Sequence, residues 1–292
     1  ANVYQYKNAF FFKLRGIAGK RFLVIEPGVR FHFTDKIFEW EYSNFLTILR
    51  RNLRNDRVVS VWQYCFDRII ILEFLRGYTL ICELMPRGVL CLLKDGIIVG
   101  ANSFMRMRDR IIAPGKKYVF PPNPPRDILN MSLDEFISIM TGASNRTIYK
   151  SLMLLGLGPK YSMELCYRAN VECNEVISKL PRDSLESLYE SLMKLIKEVL
   201  NSRRGIVYFK DDEPRFFSPI ELHIAREYKQ KSFESFDDAL DYFFSTTMIG
   251  EATREEIKPL EDKREELLRI IRQQEQLIAV SYTHLRAHET EA

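Results

Sequence analysis

Histidine is scarce in this chain: there are four among 292 residues, and two of those fall in the last twelve positions. That leaves His32 and His223, too few to supply a histidine relay or a histidine-rich metal site. Nucleotide and hydrolase signatures are also missing: there is no GxxxxGK[ST], no GxGxxG after a strand, no HExxH and no GxSxG. Carboxylates are plentiful, but no spacing singles out a catalytic pair, so a non-enzymatic protein without a cofactor is expected. The five cysteines (Cys65, Cys82, Cys91, Cys166, Cys173) contain no CxxC pair. Several lie in apolar runs, where a thiol behaves as a small hydrophobe. A reduced, cytoplasmic setting is the simplest expectation. No signal peptide opens the chain and no apolar run nears the ~18 residues of a membrane span, so no membrane partner is expected. The net charge is only +4, and any nucleic-acid argument must rest on where basic residues cluster.

Hydrophobic residues make up 46% of the chain, enough for a sizeable core in about two domains. From Tyr4 to Thr34 the sequence reads as consecutive strands, "AFFFKLRG", "KRFLVIEPG" and "RFHFT", with glycines and Pro27-Gly28 as turns. His32 alternates with Phe31 and Phe33, which points its ring to solvent or a polar neighbour. "FEWEYSNFLTILRRNLRNDR" (residues 38–57) has helical spacing, with Phe38, Tyr42, Phe45, Leu49 and Leu53 on one face. Its end carries Arg50, Arg51, Arg54 and Arg57. Cations there complement the helix dipole, and four in eight residues also suit a phosphate-facing surface.

A β-meander follows, from "VVSVWQY" to "IIVGA", with Asp95-Gly96 as a strong hairpin signal. Within it "FDRIIILEF" (residues 66–74) sets Asp67 and Arg68 before an apolar run. On the residues alone, a turn or strand-end ion pair is the stronger reading, with both side chains partly exposed. Arg106, Arg108, Arg110, Lys116 and Lys117 lead out of the meander, interrupted by Asp109, and form a second basic candidate. Pro121 to Pro125 is a stiff connector.

Residues 128–203 turn helical. Ser132 and Glu135 form a capping box, and "SLESLYESLMKLIKEVLN" is an amphipathic helix capped by Asp183 or Ser184. Leu-Gly-Leu-Gly-Pro between two amphipathic stretches has helix–hairpin–helix spacing: Gly156 and Gly158 permit the tight turn, and Lys160 stands beside it to meet a phosphate. Strand pattern returns from Gly205, turning at Asp211-Asp212, as if the chain came back to complete the earlier sheet. Ile257, Arg264, Ile271 and Ile278 share a heptad position, suggesting a coiled coil over 251–280 or an amphipathic helix. Residues 281–292 abandon the pattern and read as an artificial tail, while the first residues read as though an element precedes them.

Taken in order, "VYQ", the arginine-rich helix, "FDRIIILEF", "LICELMPRGVLCLLKDG", "MRDRIIAPGKKYVFPP", the Leu-Gly-Leu-Gly turn and "FFSPIEL…FESFDDALDYFF" resemble the N-terminal half of the NFACT family. That family includes RqcH, NEMF and proteins called fibronectin-binding protein A, and its archaeal branch looks most similar. The resemblance implies an α+β fold. A β-rich domain like formamidopyrimidine-DNA glycosylases (1–127 and 204–250) would be interrupted by an inserted helix–hairpin–helix domain (128–203) and followed by the start of a coiled coil. It implies a ribosome-associated quality-control factor that binds the large ribosomal subunit obstructed by nascent peptidyl-tRNA. Such a factor recruits tRNA for untemplated C-terminal tailing of the stalled chain. Asp67 and Arg68 match the family's Asp-Arg pair implicated in tRNA engagement. Val89 stands where the family often has Asn in an "RGN" turn, which puts a polar role of that turn in doubt. A long coiled coil and the NFACT-R domain are expected beyond this stretch. A glycosylase-like nucleic-acid enzyme and a coiled-coil interaction scaffold are the competing readings.

Overall fold

Alternation along the strands decides the first half of the protein. In this computed structural model, residues 2–16, 19–36, 40–143 and 145–247 are described, together with Lys263 and Arg269. Apart from those two residues, the heptad segment 251–280 and the tail 281–292 lie outside the described residues, as does Phe38. Strands β1 (Asn2–Tyr6), β2 (Ala9–Gly16), β3 (Gly19–Glu26) and β4 (Arg30–Thr34) pair antiparallel in chain order. On β2, Phe10 and Phe12 face one apolar cluster while Ala9 and Phe11 face another, so an unbroken apolar run is buried on both sides.

A second antiparallel meander follows: β5 (Val58–Gln63), β6 (Ile69–Phe74), β7 (Tyr78–Glu83), β8 (Leu90–Lys94) and β9 (Ile97–Ala101). Leu72 and Phe74 of β6 join Leu80, Cys82 and Leu92 in the core shared with the first sheet. Ile69 and Ile71 face the other way, against Ile81, Cys91 and Ile98. This two-sided burial explains the "IIILEF" run. Burial pushes the thiols of Cys82 and Cys91 far up, so they pack as inert hydrophobes. Gly88 is required sterically, since a Cβ there would lie 2.0 Å from the Glu83 carbonyl oxygen. Its neighbour Val89 is fully buried and belongs to the core, with no polar role. The short pair β10 (Met105–Arg106) and β11 (Ile111–Ile112) closes this half.

Helix α1 (Asn44–Leu53) packs Phe45, Leu46, Leu49 and Leu53 into the core shared by the two sheets. It is shorter than the sequence pattern predicts. The Ser43 hydroxyl accepts the Leu46 N–H at 3.0 Å and fixes the start there, leaving Tyr42 outside and 84% exposed. At the other end Arg76 donates to the carbonyls of Asn52 and Arg54 at 2.7 and 2.8 Å, satisfying acceptors that a helix terminus leaves open. Arg54 is therefore the cap, and Arg57 lies beyond the helix.

His32 is a correction: it is 3% exposed, with Nδ1 2.9 Å from the Phe33 carbonyl oxygen. Burial holds its pKa below the usual value, against the pull of that hydrogen bond. An unfolded chain protonates this imidazole near pH ~6.5, whereas the folded chain resists. The stability it supplies is therefore complete above that pH and is lost as pH falls toward the depressed folded value. Thermal melts from pH 7.5 to 5 should show a decline that is shallower in His32→Gln.

Helices α2 (Leu133–Gly142), α3 (Ile148–Leu154), α4 (Gly158–Arg168) and α5 (Arg182–Asn201) enclose their own apolar cluster around Phe136, Leu152, Leu165 and Leu188. The Ser132 cap is present, its hydroxyl accepting the Glu135 N–H at 3.2 Å. Helix α5 starts at Arg182 after Pro181, with no side-chain cap, so neither Asp183 nor Ser184 has that role. Cys166 and Cys173 form a disulfide, against the expectation that all cysteines are reduced. The turn after α4 brings together thiols whose spacing matches no common pairing motif.

The returning strands are a second correction. β12 (Gly205–Lys210), β13 (Glu213–Ser218) and β14 (Lys229–Phe233) make a sheet of their own, in the order β13-β12-β14. They do not complete either earlier sheet. Tyr208, Ile220 and Leu222 pack instead with Leu195, Tyr161 and Val199 of the helical region. The link back to the first sheet is polar: Asp237 accepts the Phe33 N–H at 3.2 Å, and Asp241 accepts the Thr34 hydroxyl.

Candidate nucleic-acid interface

The arginines of α1 and the β2–β3 hairpin converge. Arg50, Arg51 and Arg54 line an open cleft with Asn2, Val3 and Tyr4 of β1. Arg57 lines a second cleft of about 900 Å3, which shares Asn2 with the first and adds Lys13, Arg15, Lys20 and Arg21. Antiparallel pairing sets Leu14 against Arg21 and Arg15 against Lys20, which concentrates the hairpin's charge. Among the described residues, no carboxylate forms an ion pair with any of these cations. Asp56 also lines the second cleft, but Arg76 pairs with it at 3.1 Å. Several cations are held by rings instead: Arg21 lies 4.8 Å from the Phe33 ring centroid and Lys13 5.5 Å from that of Phe22. Arg50 sits between Tyr4 and Tyr42, at 5.6 and 5.4 Å, and donates Nε to the Val3 carbonyl at 2.7 Å. A positive seam held open in this way attracts polyanions. Lys13, Arg15, Lys20 and Arg21 escaped the sequence reading because they are spread over two strands, and only register brings them together.

Asp67 and Arg68 separate. Asp67 is 9% exposed, and its Oδ1 accepts the Arg68 N–H at 2.7 Å while its own N–H donates to the Tyr64 carbonyl at 3.0 Å. Gln63 Nε2 donates to the Asp67 carbonyl at 2.7 Å. The carboxylate thus closes the β5–β6 turn, in which Cys65 takes a φ of 48°. Arg68 is exposed, and no ion pair joins it to Asp67 among the described residues. The same turn places Phe66 against the helical cluster and stacks Tyr64 on Phe120 at 3.8 Å. Arg68 therefore stands where the second sheet meets the helices. Both residues were expected to be partly exposed; only Arg68 is. Asp67→Ala should cost about 1–2 kcal/mol, the loss of a buried charged acceptor. Asp67→Asn should retain most of that stability, and Arg68→Ala should stay within about 0.5 kcal/mol. Urea melts of the three variants check this.

The second basic stretch divides. Arg106, Arg108, Lys116 and Lys117 are exposed. Arg110, expected to meet phosphate, is 8% exposed and forks onto the fully buried Glu83 at 2.5 and 2.9 Å. Tyr118 adds its hydroxyl to the same carboxylate at 2.7 Å. Burial alone would lower the Arg110 pKa, but the Glu83 carboxylate outweighs it. Arg110 is a core cation with no donor fork left for RNA.

Gly156 and Gly158 have φ of 89° and 73° and turn the chain between α3 and α4. No side-chain hydrogen bond caps the start of α4, and Pro159 in its first turn has no N–H to offer. Lys160 lies 4.6 Å from the Phe216 ring centroid, and its partial burial pulls its pKa down. Neither this turn nor Arg68 lines the two clefts of the α1 seam. Among the described residues, no group of His, Cys, Asp and Glu could hold a metal ion, and no helix is long and apolar enough to cross a membrane.

These features define a β-rich α+β protein that presents a cationic seam. The family described as NFACT N-terminal and middle domains matches residues 1–290, and the chain belongs to that family. It is 27% identical over 272 residues to the archaeal Rqc2 homolog aRqcH of Methanocaldococcus jannaschii, covering 88% of this chain and 40% of the relative. It is 28% identical to the human ribosome quality control complex subunit NEMF, covering 92% of this chain and 28% of that protein. The chain thus spans less than half the length of these relatives. Among solved structures, the fibrinogen binding protein from Staphylococcus aureus aligns at a TM-score of 0.66 and 18% identity, over 83% of this chain and 90% of that one. At such identity the likeness speaks for the fold alone.

Proposed function

We propose that this chain is the RNA-binding part of a ribosome-associated quality-control factor. In this reading the cationic seam of α1 and the β2–β3 hairpin lies on ribosomal RNA or tRNA backbone. Arg68, freed from its neighbour and fixed at its base by the Asp67 turn, contacts tRNA; an exposed guanidinium can fork onto phosphate or a guanine edge. The α3–α4 turn serves as a helix–hairpin–helix whose uncapped backbone meets a phosphate. The partners are the large ribosomal subunit and its obstructing nascent peptidyl-tRNA, together with the recruited tRNA, in the cytoplasm. Peptide-bond chemistry in tailing belongs to the ribosome, so the chain itself acts as a binding module and not as an enzyme.

The observation that carries this proposal is the seam of unpaired cations in a chain whose net charge is only +4. Family membership supplies the ribosomal context. Gradient co-sedimentation with purified large subunits carrying peptidyl-tRNA tests it. The chain is expected to travel with them at low salt and dissociate as salt rises. Arg68→Ala should weaken tRNA recruitment about 5–100-fold with little change in subunit binding. Failure to co-sediment at any salt would overturn the proposal.

A further inference from the structure

The two elements that form the arginine cleft, β1 and α1, also border a second cavity. There β1 and the first turn of α1 enclose a separate recess of about 260 Å3, completed by the segment after β9. Its floor is apolar, made by Phe10 and Phe45, whose rings meet edge-to-face at 5.4 Å, and by Ile48. Its polar lining is uncharged throughout, with Asn44 and Asn102 among its amides. On the far wall the Ser43 hydroxyl donates to the Gln5 side-chain amide oxygen Oε1 at 2.5 Å, which leaves that pair satisfied. Asn102 accepts the Leu90 N–H through Oδ1 at 2.7 Å, and its amide NH2 has no partner among the described residues. Phe104 stands at the rim, 64% exposed.

This composition selects a ligand. The absence of charge in the lining disfavours a phosphate or carboxylate. The volume, below that of ordinary drug-sized pockets, suits one flat ring system and not a helix or a strand. Amides offer both a donor and an acceptor to a heterocycle's edge, and an exposed aromatic ring offers a face to stack on. The recess is built on the same two elements as the cationic seam. Gln5 follows Asn2–Tyr4 on β1, and Asn44 precedes Arg51 by seven residues on α1, about 10 Å along the helix axis. Tyr42, next to Ser43 of the recess, is in ring contact with Arg50 of the arginine cleft.

We propose that this recess receives one unpaired nucleobase, stacked on Phe104 with its edge on the Asn44 and Asn102 amides, from an RNA strand whose phosphates lie along Arg50, Arg51 and Arg54. The proposal rests on the RNA reading of the seam and adds to it a site that discriminates single-stranded from duplex RNA.

The test uses the full chain and fluorescein-labelled decamers of oligoadenylate and oligouridylate, read by anisotropy. Phe104→Ala should weaken decamer binding at least about fivefold and leave the salt slope unchanged, because no cation is lost. Phe104→Trp should retain binding and report it directly. The introduced indole should be quenched saturably by the decamers beyond any change in Trp40 and Trp62 of the unaltered chain. Asn102→Asp keeps the acceptor for the Leu90 N–H but removes the NH2, and should change the preference between the two decamers. If the unaltered chain binds neither decamer nor duplex RNA at any salt, the RNA reading falls and the recess proposal with it. If RNA binds, but Phe104→Ala binds the decamers as tightly as the unaltered chain and the Phe104→Trp indole is not quenched, the recess proposal alone is overturned.

Discussion

Replacing Arg110 with Ala is expected to lower folding stability by about 3–5 kcal/mol and the melting temperature by roughly 10 °C. Glu83 is fully buried, and its carboxylate is held by both terminal nitrogens of Arg110 and by the Tyr118 hydroxyl. Removing the guanidinium strands an anion in the core with a single neutral donor. The cost comes from that uncompensated charge, not from the intrinsic value of the pair. A joint Glu83→Leu/Arg110→Met replacement should therefore recover much of the loss, since a well-packed apolar pair often equals a buried ion pair. Denaturant melts of the single and joint variants form a cycle with strong positive coupling. Two losses that simply add would disprove the account. The same surroundings drive the Tyr118 hydroxyl pKa far up, through burial and then the Glu83 charge, so tyrosine ionisation should not loosen this core at moderately alkaline pH.

The triple replacement of Arg51, Arg54 and Arg57 with Ala should weaken RNA binding about 100-fold at 0.1 M salt. Each phosphate contact on a single strand contributes about 0.7 to the slope of log K against log salt. Three lost contacts flatten that slope by about two units, which is two decades of affinity at one decade below the 1 M reference. All three side chains are exposed, so the melting temperature should barely move. Arg50 is left in place because its Nε holds the Val3 carbonyl. Anisotropy titrations at four salt concentrations between 0.05 and 0.4 M read both the slope and the affinity. An unchanged slope would remove α1 from the interface.

The sequence carried the meander order well, because its apolar strand runs are separated by marked turns such as Pro27-Gly28 and Asp95-Gly96. It overextended α1: Tyr42 continues the helical spacing, but the Ser43 hydroxyl cap outweighs a side chain with nothing to pack on. It grouped Arg110 with its exposed neighbours because a linear charge run cannot distinguish a cation paired across the fold. Glu83 lies 27 residues away. The hairpin half of the cationic seam was hidden for the same reason, since Arg15 and Lys20 meet only through register. Asp67 was recognised, but its role in closing a turn depends on a side-chain-to-backbone bond that no motif spells out. The pairing of Cys166 with Cys173 depends on the turn geometry after α4.

The two large sheets are built entirely from strands paired with their immediate sequence neighbours. Such contacts close short loops and cost little chain entropy, so each meander can form as soon as its own strands are available. The hydrogen bonds from β4 to Asp237 and Asp241 are the opposite case, spanning 204 and 207 positions. During vectorial synthesis they must wait until Asp241 has emerged, while the α1 seam, complete by Arg57, is assembled long before. Order of emergence therefore separates the two: the cationic surface matures early, and the clasp from Asp237 and Asp241 back to the first sheet closes late.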